Sequence, residues 1–256
     1  MNQQDRRVFL IERLVQEQPG YRDARIPSDA AGQERLLRAL ANVRMPGPID
    51  EDFLTVQDEY LRERAAERGI TRLRDLMPVE PGIYLWQGDI TTLAVDAIVN
   101  AANSGMTGCY VPCHNCIDNC IHTFAGVQLR NACAEIMERQ GHEEATGQAK
   151  ITPGFNLPCT YVLHTVGPIV QGDLTEQHRE QLESCYASCL NLAAQTGCES
   201  VAFCCISTGL FGFPQREAAE IAVRTVRAWR RHRSEIEVVF NVFKDEDREI
   251  YRGLLG

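Results

Sequence analysis

The chain has 256 residues, of which 44% are hydrophobic and 24% are charged, and this composition excludes a disordered or collagen-like protein. The 35 acidic residues outnumber the 26 basic ones, so the net charge is −9, which disfavours general binding to nucleic acid phosphates. No apolar run has the length of a bilayer span or of a signal-peptide core, and we therefore expect a cytoplasmic protein without a membrane contact.

Residues 1–76 are predicted to form a helical extension with little strand character. Apolar positions three and four apart indicate helices at residues 8–16 and 33–43, and residues 51–66 form a charged amphipathic stretch. The run Met45-Pro46-Gly47-Pro48 separates the second helix from the third. We interpret the extension as a structural cap on the domain that follows it.

From residue 77 to residue 256 the pattern changes to short apolar runs that alternate with amphipathic stretches. The runs, predicted to be strands, cover residues 83–86, 97–99, 160–164, 201–206 and 238–240, and the predicted helices cover residues 117–139, 175–195, 215–233 and 245–254. Such alternation indicates an α/β sheet that is buried on both faces. Because ligands of these sheets bind beyond the carboxyl ends of the strands, the residues after each run are the candidate functional residues.

Polar and small residues follow three of the predicted strands. Asp89 follows the first, and Asn100 and Asn103 flank two alanines after the second, where their amides can bond to ligand hydroxyls. Turns and helix caps use the same residue types, so these residues have a structural explanation as well. After the fourth predicted strand, residues 207–214 form a loop with two glycines before a helix, where N–H groups can hold a diphosphate. The loop matches neither the Walker pattern nor the dinucleotide fingerprint.

A cluster of four cysteines and two histidines lies between residues 109 and 122. Thiolates and imidazoles at such close spacing are preferred zinc ligands. The chain has no second CxxC pair, so a site with three protein ligands and an open position fits better than a structural site with four. Cys109, His114 and Cys116 lie in the irregular segment before the predicted helix, but spacing alone leaves Cys113 as a competitor.

The other cysteines are interpreted as small core or surface thiols, as expected in a reducing compartment. We interpret His122 and His164 as packed or hydrogen-bonded residues and not as metal ligands. An RNA-binding zinc knuckle is disfavoured by the acidic composition and by the lack of aromatic residues among lysines and arginines near the cluster.

Taken together, four motifs resemble the macrodomain family and, within it, the zinc-containing bacterial protein-ADP-ribose hydrolases. The motifs are Gly88-Asp89-Ile90, Val99-Asn100-Ala101-Ala102-Asn103, the segment from Cys109 to His122, and Ser207-Thr208-Gly209-Leu210-Phe211-Gly212-Phe213-Pro214. The resemblance extends from about residue 81 to the C-terminus, and the helical extension is also similar to that of the zinc-containing branch. It implies a three-layer α/β/α sandwich with a mixed sheet and an ADP-ribose cleft.

The resemblance implies roles for residues along this cleft. Asp89 would accept a hydrogen bond from the adenine amine beside the backbone of Ile90, and Phe243 would stack on the base. The backbone N–H groups of one loop would hold the diphosphate, the loop being Ser207, Thr208, Gly209, Leu210, Phe211 and Gly212. Phe211 would also pack against the distal ribose, which Asn103 would bind. The remaining ligand-binding residues would be Cys116, Ile117 and Asp118.

The resemblance also implies a zinc-dependent reaction. In the family pattern Cys109, His114 and Cys116 hold one zinc ion per chain, and Asp118 and Asn103 would be the catalytic residues. The implied activity removes mono-ADP-ribose from modified proteins, with acidic side chains as acceptors, and the implied partners are a lipoyl-carrier protein and a sirtuin-like ADP-ribosyltransferase. The alternative is a reader module that binds ADP-ribose without cleaving it, and such a module has no need for a three-ligand metal site beside the sugar.

Overall fold

Three helices form the N-terminal part of the chain: α1 (Gln3–Glu17), α2 (Ala30–Val43) and α3 (Glu51–Arg68). The structure, a computed structural model, describes residues 1–256. Asn2, Asp29 and Asp50 each precede one helix and accept a hydrogen bond from a backbone N–H of its first turn. The apolar faces of the three helices pack into a hydrophobic cluster of their own, to which the rest of the chain contributes Val127. The three helices predicted for this region are confirmed.

The remaining chain builds a mixed sheet of seven strands. The strands are β2 (Pro78–Glu80), β3 (Ile83–Gln87), β5 (Ala97–Ala102), β6 (Ala149–Pro153), β7 (Tyr161–Val166), β8 (Ser200–Phe203) and β9 (Glu237–Val242), in the order β2-β3-β9-β8-β5-β7-β6. Two short strands, β1 (Thr71–Arg72) and β4 (Leu93–Ala94), pair separately. The central strands run parallel, whereas β2 and β6 are antiparallel edges. The carboxyl ends of the parallel strands therefore meet at one edge of the sheet.

Helices cover the sheet, as the alternating pattern predicts. They are α4 (Ile117–Ala125), α5 (Val127–Gln140), α6 (Glu176–Gln195), α7 (Gln215–Arg230) and α8 (Asp245–Leu255). Helix α4 packs on β5 and on α5, while α6, α7 and α8 pack side by side. Helices α2 and α3 contact α4, so the N-terminal helices lie outside the α4–α5 layer. None of the helices has the length and apolar character that crossing a bilayer requires.

The expectation of one helix over residues 117–139 is wrong. The chain breaks at Gly126, whose φ of +97° lets it turn between α4 and α5. Its N–H closes α4 on the carbonyl of His122, and the next N–H, that of Val127, donates to Gln57 of α3. Strands β2 and β6 were not predicted, because short, partly exposed edge strands carry little of the apolar signal that marks the central ones.

Candidate functional site

The residues predicted to bind a ligand lie at the carboxyl edge of the parallel strands. Asp89 follows β3, Phe243 follows β9, Asn103 follows β5, and residues 207–212 lie in the loop after β8. This edge is where open α/β sheets bind their ligands, because loops and helix N-termini converge there. The structure thus brings together four segments that are far apart along the chain.

The loop after β8 presents free backbone donors to this edge. Phe213 N–H donates to the carbonyl of Ser207 at 3.0 Å and Gly212 N–H to that of Gly209 at 3.1 Å, which closes the loop on itself. Ser207 and Gly212 have φ values of +65° and +70°, so both take the left-handed conformation. The N–H groups of three consecutive residues, 209–211, donate to no group of the protein. Free N–H donors just before the N-terminus of a helix, here α7, favour an anion.

Asp89 is held by the N-terminal helices. Its carboxylate accepts hydrogen bonds from Arg68, the last residue of α3, and from the N–H of Thr91 at 2.9 Å. The guanidinium of Arg68 also lies 3.7 Å over the ring of Phe124 in α4. Sequence reasoning missed Arg68, since no motif separates it from the other arginines of α3. The N-terminal extension therefore contacts the functional edge as well as covering the domain.

Two other residues predicted to contact adenine differ in exposure. Phe243 leaves 75% of its surface exposed, so its ring is available to a ligand. Ile90 begins a short 3-10 turn and is 1% exposed, so its side chain belongs to the interior. The role expected for its backbone beside the base stays a prediction.

The two residues predicted to be catalytic, Asn103 and Asp118, contact each other. Asn103 donates to one carboxylate oxygen of Asp118 at 3.3 Å and to the carbonyl of Gly108 at 3.1 Å. Asp118 lies in the first turn of α4 and is 5% exposed. Burial raises the pKa of Asp118 to about 6, against the opposing effects of a hydrogen bond from Asn100 and the positive charge of Arg130. The carboxylate is therefore ionised at neutral pH and can accept a proton.

Buried polar residues support Asp118 from behind. Asn100 Nδ2 donates to the second oxygen of Asp118 at 2.8 Å and lies 3.1 Å from Nδ1 of His164, whose Nε2 is 2.9 Å from the hydroxyl of Thr152. The expectation that the Asn100 amide bonds to a ligand hydroxyl is wrong, because the strand turns this side chain into the interior, where it is fully buried. Burial lowers the pKa of His164 to about 3, so it is neutral. The interpretation of His164 as hydrogen-bonded is confirmed.

Cys109, His114 and Cys116 form a compact donor set beside this pair. The sulfur of Cys109 lies 3.5 Å from Nδ1 of His114, and the three donor atoms lie within 4.8 Å of one another. Such separations fit a metal ion with bonds of about 2.0–2.3 Å to nitrogen and sulfur. Cys113 lies outside the set, because its thiol donates to the carbonyl of Arg35 at 3.4 Å.

Helix α2 positions this donor set from the opposite side. Arg38 donates to the carbonyl of His114 at 2.7 Å, and the side-chain oxygen of Asn42 accepts the N–H of Cys113 at 2.9 Å. Asn119 of α4 completes the support by donating to the carbonyl of Val111 at 3.0 Å. Arg38 and Asn42 were not identified from the sequence, because an amphipathic helix does not indicate what its polar face will contact. These contacts are the kind of outer support that orients metal ligands.

A second group of potential metal donors lies deeper. His122, Cys133 and His164 also have donor atoms within 4.8 Å of one another. Because both ring nitrogens of His164 are already near hydrogen-bond partners, the first donor set is the better metal candidate. His122 is packed as expected, although neither of its ring nitrogens has a partner. Of the remaining cysteines, Cys120 and Cys205 are partly exposed, and the others are buried, as expected for core thiols: Cys133, Cys159, Cys185, Cys189, Cys198 and Cys204.

Comparisons with known proteins find relatives over most or all of this chain. A family model described as "Macro domain" matches residues 99–222. A protein of Treponema medium named "Protein-ADP-ribose hydrolase" is 59% identical over 261 residues, which cover all of both chains. A protein of the same name from Staphylococcus aureus (strain MSSA476) is 51% identical over 230 residues, or 89% of this chain and 86% of that protein.

Solved structures are also similar to this chain. The Oceanobacillus iheyensis macrodomain with ADP is 34% identical with a TM-score of 0.64, over 70% of this chain and 93% of that one. The Trypanosoma brucei macrodomain in complex with ADP-ribose is 28% identical with a TM-score of 0.66, over 85% of this chain and 95% of that one.

Proposed function

We propose a function from one premise: the chain belongs to the Macro domain family. It binds ADP-ribose and hydrolyses the bond that joins ADP-ribose to a modified protein. The strongest support is the segment where the loop before α4 meets the helix. This segment carries the three potential metal donors and, two residues after Cys116, the buried carboxylate of Asp118. Relatives that match this chain along most or all of their length carry the name of this activity.

The ligand lies along the carboxyl edge of the sheet in this proposal. Asp89 and Phe243 bind the adenine end, and the free N–H donors of residues 209–211 bind the diphosphate. Asn103 then meets the distal ribose next to Asp118, with which it already shares a hydrogen bond. The sugar that carries the scissile bond is thereby held against the carboxylate.

We further propose that Cys109, His114 and Cys116 hold one zinc ion. Two sulfurs and an imidazole nitrogen are donors that zinc prefers, and three protein ligands leave one position open. When bound, zinc supplies a positive charge beside the distal ribose, and the two thiolates offset that charge, which favours orienting the sugar over generating hydroxide.

In the hydrolytic step Asp118 aligns a water molecule and accepts its proton. The water oxygen forms a bond to the anomeric carbon of the distal ribose, while the bond from that carbon to the acceptor oxygen breaks. The electron pair of the broken bond leaves with the acceptor, which we propose to be the carboxylate of an acidic side chain. Asn103 keeps the ribose and the carboxylate of Asp118 in fixed relative positions during this hydrolytic step. The products are ADP-ribose and the unmodified protein.

The activity is tested by release of ADP-ribose from mono-ADP-ribosylated proteins. We expect release from substrates modified on aspartate or glutamate, and from a mono-ADP-ribosylated lipoyl-carrier protein, the proposed partner. Substrates modified on serine and arginine test the acceptor preference. Asp118→Asn should lower the rate about 10²–10⁴-fold while ADP-ribose affinity changes little. Asp23→Asn, which changes an exposed carboxylate outside the site, is the control. Tight ADP-ribose binding by the wild-type protein without release from any substrate would favour the reader function instead.

The metal is tested separately with two cysteine variants of the same loop. Cys116→Ala should lose the bound zinc, whereas Cys113→Ala should keep one ion per chain, because the Cys113 thiol faces α2 and not the donor set. Metal content is measured by elemental analysis, and ADP-ribose affinity and turnover are measured on the same samples. Full turnover by zinc-free Cys116→Ala would remove zinc from the mechanism.

A further inference from the structure

A cavity of about 520 Å³ lies between the N-terminal helices and the α4–α5 layer. Its walls come from α1, α2 and α3 on one side and from α4, α5 and the loop around Cys113 on the other. None of the residues proposed above to bind ADP-ribose or zinc lines it. The volume lies within the range of about 300–1,000 Å³ that is typical of small-molecule sites. The cavity is therefore a second compartment, separate from the cleft at the sheet edge.

Part of the cavity wall is apolar. The lining includes Leu14, Phe53 and Val127, which pack together in one hydrophobic cluster, and the partly buried Leu61 and Phe124. Leu14 and Phe53 are at most 2% exposed, so this part of the wall belongs to the interior. Such a surface binds a hydrocarbon chain or ring in preference to a fully polar ligand.

The charged residues of the wall are almost all cations. Five arginines and one glutamate line the cavity, in a chain whose net charge is −9. Three of these arginines, Arg35, Arg38 and Arg130, have no carboxylate within 4.0 Å. A local excess of unpaired positive charge beside an apolar wall is complementary to an anion that has an apolar body.

Unpartnered polar atoms are concentrated in the same wall. Nε of Arg38, Nε of Arg130 and both ring nitrogens of His122 are buried without a hydrogen-bond partner. All three residues line the cavity, and the side chain of His122 is only 3% exposed. Buried polar groups in folded proteins are rarely left without partners. Terminal nitrogens of Arg38 and Arg130 already donate to backbone carbonyls, so only the two Nε atoms lack an acceptor, and a carboxylate is an acceptor that suits a guanidinium group.

We propose that this cavity is a binding site for a small monocarboxylate with an apolar chain or ring. The carboxylate lies beside the guanidinium groups of Arg35, Arg38 and Arg130, none of which has a carboxylate partner, and the apolar body lies against the partly buried side chains of Leu61 and Phe124. The proposal rests on this cavity alone and does not depend on the proposed hydrolase activity.

Isothermal titration calorimetry of the full-length, zinc-loaded protein tests the proposal, with decanoate as the probe. We expect one site per chain, at least tenfold weaker binding of decanol, and no saturable binding of inorganic phosphate. Saturating ADP-ribose should leave decanoate affinity unchanged, because the two sites are separate. Displacement of decanoate by ADP-ribose, or equal affinity for decanol and decanoate, would overturn the proposal. Binding of phosphate as tightly as decanoate would do the same.

Two variants locate the site. Ala41→Phe places a ring in the cavity, and Arg35→Gln removes a charge that forms no ion pair, so each should weaken decanoate binding at least tenfold. The control is Arg25→Gln, which removes an exposed arginine of the same extension that does not line the cavity. Unchanged ADP-ribose affinity shows in each case that the variant is folded. Wild-type decanoate affinity in both cavity variants would refute the assignment.

Discussion

Replacing Asn42 by alanine should loosen the loop that carries the three proposed metal donors without altering any of them. Asn42 is 1% exposed; its oxygen accepts the N–H of Cys113 at 2.9 Å and its amide donates to the hydroxyl of Thr123 at 2.9 Å. The side chain thus ties α2 to the residue before His114 and to α4. Its removal leaves the loop with one anchor fewer on the side opposite the donors.

The expected magnitude follows from these two hydrogen bonds. Each contributes about 1 kcal/mol when made between buried groups, so Asn42→Ala should cost about 2 kcal/mol. Only the bond from the N–H of Cys113 reaches the loop, so about 1 kcal/mol of this cost falls on the metal-binding conformation, and zinc affinity falls by about fivefold.

Asn131→Ala is the matched control for Asn42→Ala. Asn131 of α5 also makes two hydrogen bonds across the same interface, to the N–H and the carbonyl of Gly47 at 3.1 and 2.9 Å, but it does not touch the metal loop. Zinc affinity is measured by competition with a chromogenic chelator, and stability by urea unfolding. We expect both variants to lose stability and only Asn42→Ala to lose zinc affinity. Equal zinc affinities in the two variants would refute the reasoning.

Three further predictions concern the cleft and its support. Gly212→Ala should weaken ADP-ribose binding about tenfold, because an added Cβ meets the carbonyl of Val170 at 3.1 Å and the φ of +70° disfavours alanine. The control Gly253→Ala, at an exposed position of α8 where an added Cβ has no neighbour, should bind normally in the same calorimetric titration. Phe243→Ala should lower ADP-ribose affinity about tenfold and leave the melting temperature unchanged, since the ring is 75% exposed; an unchanged affinity would exclude stacking. Burial holds the pKa of His164 at about 3 instead of 6.5, so below pH 6.5 the unfolded chain takes up a proton that the folded chain does not. The free energy of unfolding therefore decreases as the pH is lowered. The free energy of unfolding, measured with urea between pH 6 and pH 4, should change with pH by about 1.4 kcal/mol per unit less in His164→Gln than in the wild type. Parallel pH curves for the two proteins would contradict this account.

The central strands were predictable because their signal is local. β5, β7, β8 and β9 are runs of buried apolar residues, and such runs indicate a sheet covered on both faces wherever they occur in a chain. The break at Gly126 was not predictable in the same way. A glycine within a helical pattern is tolerated or ends the helix, and the hydrogen bond that the N–H of Val127 donates to Gln57 of α3 is a contact that the sequence does not reveal.

The cysteine cluster shows the same difference between what local sequence signals predict and what the tertiary contacts decide. Residue type and spacing restricted the metal donors to one loop, and the family resemblance selected Cys109, His114 and Cys116. In the structure Cys113 turns toward Arg35 of α2 and lies outside the donor set. That orientation depends on a contact with a helix more than 70 residues upstream, and no local sequence pattern around Cys113 predicts it.

The sequence by itself determined the class of the sheet, the edge where a ligand binds and the residue types available there, because these depend on apolar periodicity and on the order of residues along the chain. Only the tertiary structure decided that Asn100 faces inward to Asp118, that Arg68 holds Asp89, and that Arg38 supports the metal loop. Each of these contacts joins residues that are distant in the chain. They form because burial of the apolar faces packs the helices and strands together, and the polar side chains then find partners at the positions that this packing brings within hydrogen-bond distance.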